Sequence, residues 1–242
     1  MTTIPPCTVS PLVKMQLKAW ADEYHQPEFI THDPVQFPHR YCDKQDIEIS
    51  GLLTAVLSFG NRKQILLKAD VLDCMMGHQP YHYVLSTKWA EDFPVCEKKS
   101  FYRMLSHKDM YGIFARLHEA YSAYPTLEDA LLALPGHTPM ERLCTFMQVS
   151  ALSPQKKLNM FLRWMIRQHS PVDLGIWTRF SSEDLIIPLD THVCRIAFQL
   201  GLIPSPTFSL NNAKRITAAL EQIFPGDPCL GDFALFGYGV NE

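Results

Sequence analysis

The chain has 242 residues, of which 47% are hydrophobic and 19% charged, with a formal charge of −3. That apolar share can build an extensive core, which excludes a disordered chain. The slight acidity excludes coating nucleic acid by bulk charge, while leaving a local basic face open.

Apolar spacing is helical nearly throughout. Leu12, Met15, Leu17 and Trp20 predict a first helix, and Pro27, Pro34 and Pro38 mark an irregular stretch after it. Ile49, Leu52, Leu53, Val56 and Leu57, then Ile65, Leu66, Ala69 and Leu72, predict two helices broken at Gly60-Asn61. Further helices are expected over Lys99–Leu105, Met110–Tyr121 and Thr126–Leu134. Pro135-Gly136 is a stop, and Pro139 restarts a helix to about Val149. After a Ser150–Ser153 turn, Pro154 stands at the first position of a helix running from Lys156 to His169. The remaining helices are Thr191–Leu200, ended by Gly201, then Asn211–Phe224 and Phe233–Tyr238. No period-2 stretch is long enough for a sheet, so the expected class is all-α, without an internal repeat.

No run of about 18 apolar residues exists to span a membrane. The opening MTTIPPCTVSP has neither the basic start nor the apolar stretch of a signal peptide. The expectation is a soluble, cytoplasmic protein. The 7 cysteines (Cys7, Cys42, Cys74, Cys96, Cys144, Cys194 and Cys229) are scattered and form no C-x2-C pair. Neither a disulfide framework nor a zinc or iron–sulfur site is expected. His78 and His82 are separated by Pro80, which spoils a helical metal pair.

Two segments can carry chemistry. In Ile187-Pro188-Leu189-Asp190-Thr191-His192-Val193-Cys194-Arg195-Ile196, Asp190 reads as a helix N-cap with Val193, Ile196, Ala197 and Leu200 as the buried stripe. A carboxylate so placed also suits a second duty: stabilising positive charge or taking a proton from a neighbour. In the helix from Lys156 to Arg167, Leu158, Phe161, Leu162, Met165 and Ile166 form one apolar face. Lys156, Asn159, Arg163 and Arg167 share a flank, read either as a solvated basic face or as a working one. Lysines at a helix start oppose the macrodipole, which favours the second reading.

The phrase Leu189-Asp190-Thr191-His192-Val193-Cys194-Arg195-Ile196 resembles the aspartate segment of the helix–hairpin–helix DNA glycosylases, the endonuclease III superfamily. Gln155-Lys156-Lys157-Leu158, with Arg163 downstream, is similar to the lysine helix of the archaeal 8-oxoguanine glycosylase branch. The whole chain most resembles an uncharacterised bacterial family of unknown function that carries the same Leu-Asn-Met-Phe-Leu-Arg-Trp-Met helix. The resemblance implies a two-lobed helical bundle, with a terminal lobe of residues 1–46 plus 171–242 and a central barrel lobe of 47–170 containing the hairpin. Lys156 and Asp190 would then face each other across the cleft.

By that resemblance Lys156 is the nucleophile, Asp190 the activating carboxylate, and Lys157 the substitute if the alignment slips by one residue. The implied function is a base-excision glycosylase/lyase that removes an oxidised purine from duplex DNA through a lysine Schiff base, without a cofactor. Ser153, Gln155, Arg163 and His192 are the implied DNA contacts on these segments. Asn61 and Arg62, between two helices, are candidates to fill the space left by a flipped base, although Gly60-Asn61 also reads as an ordinary turn. The turn Ser150-Ala151-Leu152-Ser153-Pro154 has no glycine where that superfamily's hairpin is Gly-rich. His192 reads as orienting its helix start, and Trp164 and Trp177 as core. Lys98, Lys99, Arg103 and Lys108 form a basic run that suits either phosphate or solvent. The alternative function is a non-catalytic DNA- or partner-binding module on the same fold.

Overall fold

The structure is a computed structural model that describes residues 9–97 and 99–241; Cys7 and Lys98 lie outside them. In chain order the elements are α1 (Pro11–Tyr24), α2 (Phe29–His32), α3 (Lys44–Leu57), α4 (Arg62–Met75), α5 (Pro80–Ser86) and α6 (Trp89–Asp92). A hairpin of β1 (Ser100–Tyr102) and β2 (Leu105–Ser106) follows, then α7 (His107–Ala123), α8 (Leu127–Ala133) and α9 (Pro139–Met147). The last elements are α10 (Lys156–Ile166), α11 (Thr191–Gln199), α12 (Leu210–Glu221) and α13 (Leu230–Asn241). The all-α class holds. Among the described residues, no helix is long and apolar enough to cross a membrane.

Three local expectations are corrected. The segment expected as a helix over Lys99–Leu105 is the antiparallel hairpin, with Ser100 opposite Ser106 and Tyr102 opposite Leu105. Phe101, Tyr102 and Leu105 are apolar residues that bury well from a strand. Arg103 takes a left-handed φ of 52° at the tip, and the Ser100 hydroxyl donates to its carbonyl at 2.6 Å. Pro154 is not the first residue of α10: Gln155, at φ 43°, stands between them as the cap. That helix also ends at Ile166, three residues before His169, because Arg167 turns into extended backbone.

The chain divides into two compact units, Met1–Thr31 with Ser150–Glu242, and His32–Val149. Of the first, residues 9–31 and 150–241 are described. The helix α10, assigned from the sequence to the central segment, therefore groups with the terminal ones. The second unit is organised around α3, whose residues from Ile47 to Leu57 are all buried. Glu48 lies inside that core, where its carboxylate accepts the Leu127 N–H at 2.9 Å, the Glu128 N–H at 3.3 Å and the Tyr121 hydroxyl at 2.9 Å. It thus caps the start of α8 from another helix. Elsewhere in this unit the Phe114 ring of α7 stacks with those of Trp89 in α6 and Phe93 just after it.

In the first unit α13 packs against α1 and α11. Its glycines permit this: a Cβ at Gly237 would overlap the Tyr24 ring, and one at Gly231 would overlap Leu220. One residue past Gly237, Tyr238 stacks on Trp20 with centroids 3.8 Å apart. The connection after α10 folds back on it, with the Leu174 and Gly175 N–H groups donating to the Trp164 carbonyl and Trp177 N–H to that of Met165. Trp164 and Trp177 are fully buried, as expected.

Gly237→Ala should force α1 and α13 apart and destabilise the protein by about 1–3 kcal/mol, the usual scale of overpacking. Thermal unfolding checks this, and an unchanged Tm would contradict the close crossing.

Candidate functional site

The sequence reading of α10 as a helix with one apolar face understates its burial. Every residue from Leu158 to Ile166 is buried, including Asn159 and Arg163 on the polar flank. Past Lys156 that flank is interior: Asn159, Arg163 and Arg167 are all buried. Arg163 donates through Nε to Asp173 Oδ1 at 3.1 Å and through Nη1 to Asp232. One turn on, Arg167 donates Nη1 to Asp173 Oδ2 at 2.9 Å, and grips Asp227 through Nε and Nη2, each at 2.8 Å. Both guanidinium groups also lie over the Phe233 ring, at 4.3 and 5.4 Å.

Two positive charges here meet three carboxylates. Burying a charge is tolerated when it is paired and hydrogen-bonded, and the surplus acid then tends to keep its proton. Asp232 is that acid. Burial pushes its carboxyl up to about 7, against the pull of Arg163, and the Asp190 charge pushes the same way while Lys156 opposes. Its Oδ1 has no hydrogen-bond partner among the described residues, nor has Asn159 Oδ1.

The same flank ends, toward the start of α10, at Lys156. Its Nζ lies 3.4 Å from Asp190 Oδ2, with the lysine one-third exposed and the carboxylate nearly buried. Asp190 is the N-cap of α11, as its spacing predicts: its Oδ1 accepts the Val193 N–H at 2.8 Å. One carboxylate oxygen is therefore fixed by backbone while the other faces the amine. Such a pair can hold a proton between an amine and a carboxylate at a place open to solvent. Lys157 is half-buried, and burial holds its amine below the usual lysine range.

The other predicted residues fall in different settings. Arg163 is corrected: it is buried against Asp173 and Asp232, and so is an internal ion-pair partner rather than a surface contact for DNA. His192 donates through Nδ1 to the Gly239 carbonyl at 2.8 Å, which orients α11 on α13. Ser153 is exposed in the turn before α10, and the Gln155 amide donates to the Ser150 carbonyl at 2.7 Å. Asn61 is the exposed N-cap of α4, accepting the Gln64 N–H at 3.3 Å, and Arg62 is exposed in the first turn. Both belong to the second unit, Lys156 and Asp190 to the first.

Sequence reasoning missed Asp173, Asp227, Asp232 and His25. The first two stand in irregular connections and His25 caps the end of α1, so no periodicity marks them. His25 Nε2 receives the Arg167 Nη1 donor at 2.8 Å, which requires a neutral ring. Burial first, then the Arg167 charge, push its pKa from 6.5 down to about 4. The unfolded chain therefore takes up this proton first. The stability held by neutral His25 is complete above about pH 6.5 and is lost as the pH falls toward 4. His25→Gln should flatten the fall of Tm with acidification over that window; a slope equal to that of the parent would contradict the assignment.

Among the described residues no group of three His, Cys, Asp or Glu side chains is arranged to hold a metal ion. Comparison with curated proteins and with solved structures found no match. Residues 33–241, most of the chain, match the family described as "Protein of unknown function (DUF2400)". The chain belongs to that family.

Proposed function

We propose that the protein is a DNA base-excision glycosylase/lyase of the helix–hairpin–helix type, acting on an oxidised purine. The observation that supports this reading is the approach of Lys156 Nζ to Asp190 Oδ2 at 3.4 Å. The two residues come from segments that resemble, respectively, the lysine helix and the aspartate phrase of that superfamily. Asp190 has the two properties the reaction asks of it: an oxygen committed to the helix cap, and another directed at an amine.

In the proposed reaction Lys156 gives up a proton to Asp190 and its free amine attacks C1′ of the damaged nucleotide. The N–C1′ bond forms as the glycosidic bond breaks, and the base departs with the bonding electron pair and is then protonated. Opening of the sugar ring at C1′–O4′ leaves the lysine joined to C1′ as a Schiff base. Loss of the C2′ proton then allows elimination of the 3′ phosphate, which is the lyase step. The base must first leave the stack, at a cost of a few kcal/mol. Asp190, nearly buried, passes the proton it took from Lys156 to the departing base, and the carboxylate so restored stabilises the positive charge on the sugar.

The two lysines differ in a way that the reaction can read. Lys156 has the carboxylate, whereas Lys157 has an amine pushed down by burial. We assign the nucleophile to Lys156 because its amine lies 3.4 Å from the Asp190 carboxylate, which can take its proton, and Lys157 serves as the control.

Borohydride trapping on duplex DNA carrying 8-oxoguanine, with abasic and undamaged duplexes beside it, tests the proposal. The expected result is a covalent adduct on the lesion duplex that is absent from undamaged DNA. Lys156→Gln should abolish it and Lys157→Gln should preserve it. Asp190→Asn retains a good helix cap and should slow trapping by about 100-fold or more, the scale of a lost acid–base group. An adduct on abasic DNA alone would mean lyase chemistry with another base as substrate. No adduct from the folded protein on any duplex would favour the non-catalytic binding module.

A further inference from the structure

The second unit carries a concentration of positive charge that the Lys156–Asp190 pair does not use. The helix α4 opens with Arg62 and Lys63 and has no acid in its first turn, the reverse of what a helix N-terminus favours. Two turns on, Lys68 Nζ lies 3.6 Å from the centre of the Phe101 ring in the hairpin. Arg103, at the hairpin tip, places its guanidinium where a Cβ at Gly60 would stand and near the Phe59 ring. The hairpin is tied to the start of α4 by the Tyr102 hydroxyl, which donates to the Phe59 carbonyl at 3.1 Å.

Among the described residues, none of Lys63, Lys68, Lys99 and Arg103 has an acidic ion-pair partner. Lys68 is held below the usual lysine range by burial and then by the neighbouring Lys99 charge. Like charges gathered without a carboxylate cost stability, and an anion set among them would relieve that cost. The chain as a whole carries −3, so the basic character is local. The cations are spread along the hairpin and the first turns of α4, with Lys68 against the Phe101 ring and Arg103 near that of Phe59. A row of phosphates fits that spread better than a single small anion does.

We propose that the hairpin of β1 and β2, together with the start of α4, is a contact surface for the phosphate backbone of duplex DNA. The choice of DNA rests on the function proposed above, but the surface acts by charge and needs neither a damaged base nor Lys156. Each phosphate neutralised releases condensed counterions, which makes such binding strongly salt-dependent.

The test is fluorescence anisotropy of the full chain on an undamaged duplex over a range of salt, with no lesion and no reductant present. Lys99 and Arg103 are both exposed, so their replacement leaves the core intact. Replacing both by Gln should weaken binding at least tenfold near 0.1 M salt. The slope of log Kd against log salt should fall by about 2, since each phosphate contact contributes about 0.9. Replacing Lys18 and Lys214, which make the same change of net charge on the first unit, should leave both values as they were. Equal loss in the two double variants would mean bulk charge only and would overturn the proposal. So would unchanged binding by the hairpin variant, no binding to duplex DNA by the parent chain, or binding only to phosphatidylserine vesicles. Borohydride capture fails or succeeds independently of this assay, so a failure of the catalytic reading is separately visible.

Discussion

Two guanidinium groups on one flank of α10 are taken out of water, and much of the first unit is arranged around that fact. Arg163 and Arg167 each need several acceptors once buried, and breaking such a network costs about 3–5 kcal/mol because a charge is left without its partner. The acceptors come from separate stretches of chain: Asp173 from the loop after α10, Asp227 from the turn before α13, and Asp232 from α13 itself. His25, at the end of α1, joins through Arg167. Four segments are thereby fixed to a single helix. Three carboxylates face two guanidinium groups, and burial raises one of the acids, Asp232, to about 7.

The same constraint fixes the place of Lys156. It stands two turns before Arg163 on the same flank, so immobilising the arginines immobilises the start of α10. Asp190 is held independently, as the cap of α11, and α11 is oriented by the bond from His192 to Gly239. The 3.4 Å approach of amine and carboxylate is thus the meeting of two elements that are each anchored elsewhere. A lysine at a helix start is unfavourable by the helix dipole, and the nearby carboxylate offsets that.

Much of this was legible in the sequence, in proportion to how local its cause is. Helix positions follow from the 3.6-residue spacing, and Asp190 as a cap follows from a short polar residue ahead of an apolar stripe. The capping box of Thr138 and Glu141 accounts in the same way for the start of α9. The hairpin at Ser100–Ser106 reads as a helix from sequence because a short apolar run fits either period, and the left-handed turn at Arg103 leaves no glycine to mark it. The ion network was not legible at all. Arg163 and Arg167 are visible as a polar flank, but their acidic partners lie up to 69 residues away, and nothing in a helical period tells a solvated flank from one covered by distant acids. For that reason Arg163 was expected at a DNA surface and is found inside.

An interior charge network holds a lysine against a carboxylate in the first unit, and the second unit carries its own exposed basic hairpin. The pairing of Lys156 with Asp190 is the claim on which the proposed chemistry stands. The most direct measurement is to digest the borohydride-reduced protein–DNA adduct and locate the sugar remnant by mass spectrometry. The pairing predicts that mass on Lys156. The remnant on Lys157, or on any lysine outside α10, would contradict it.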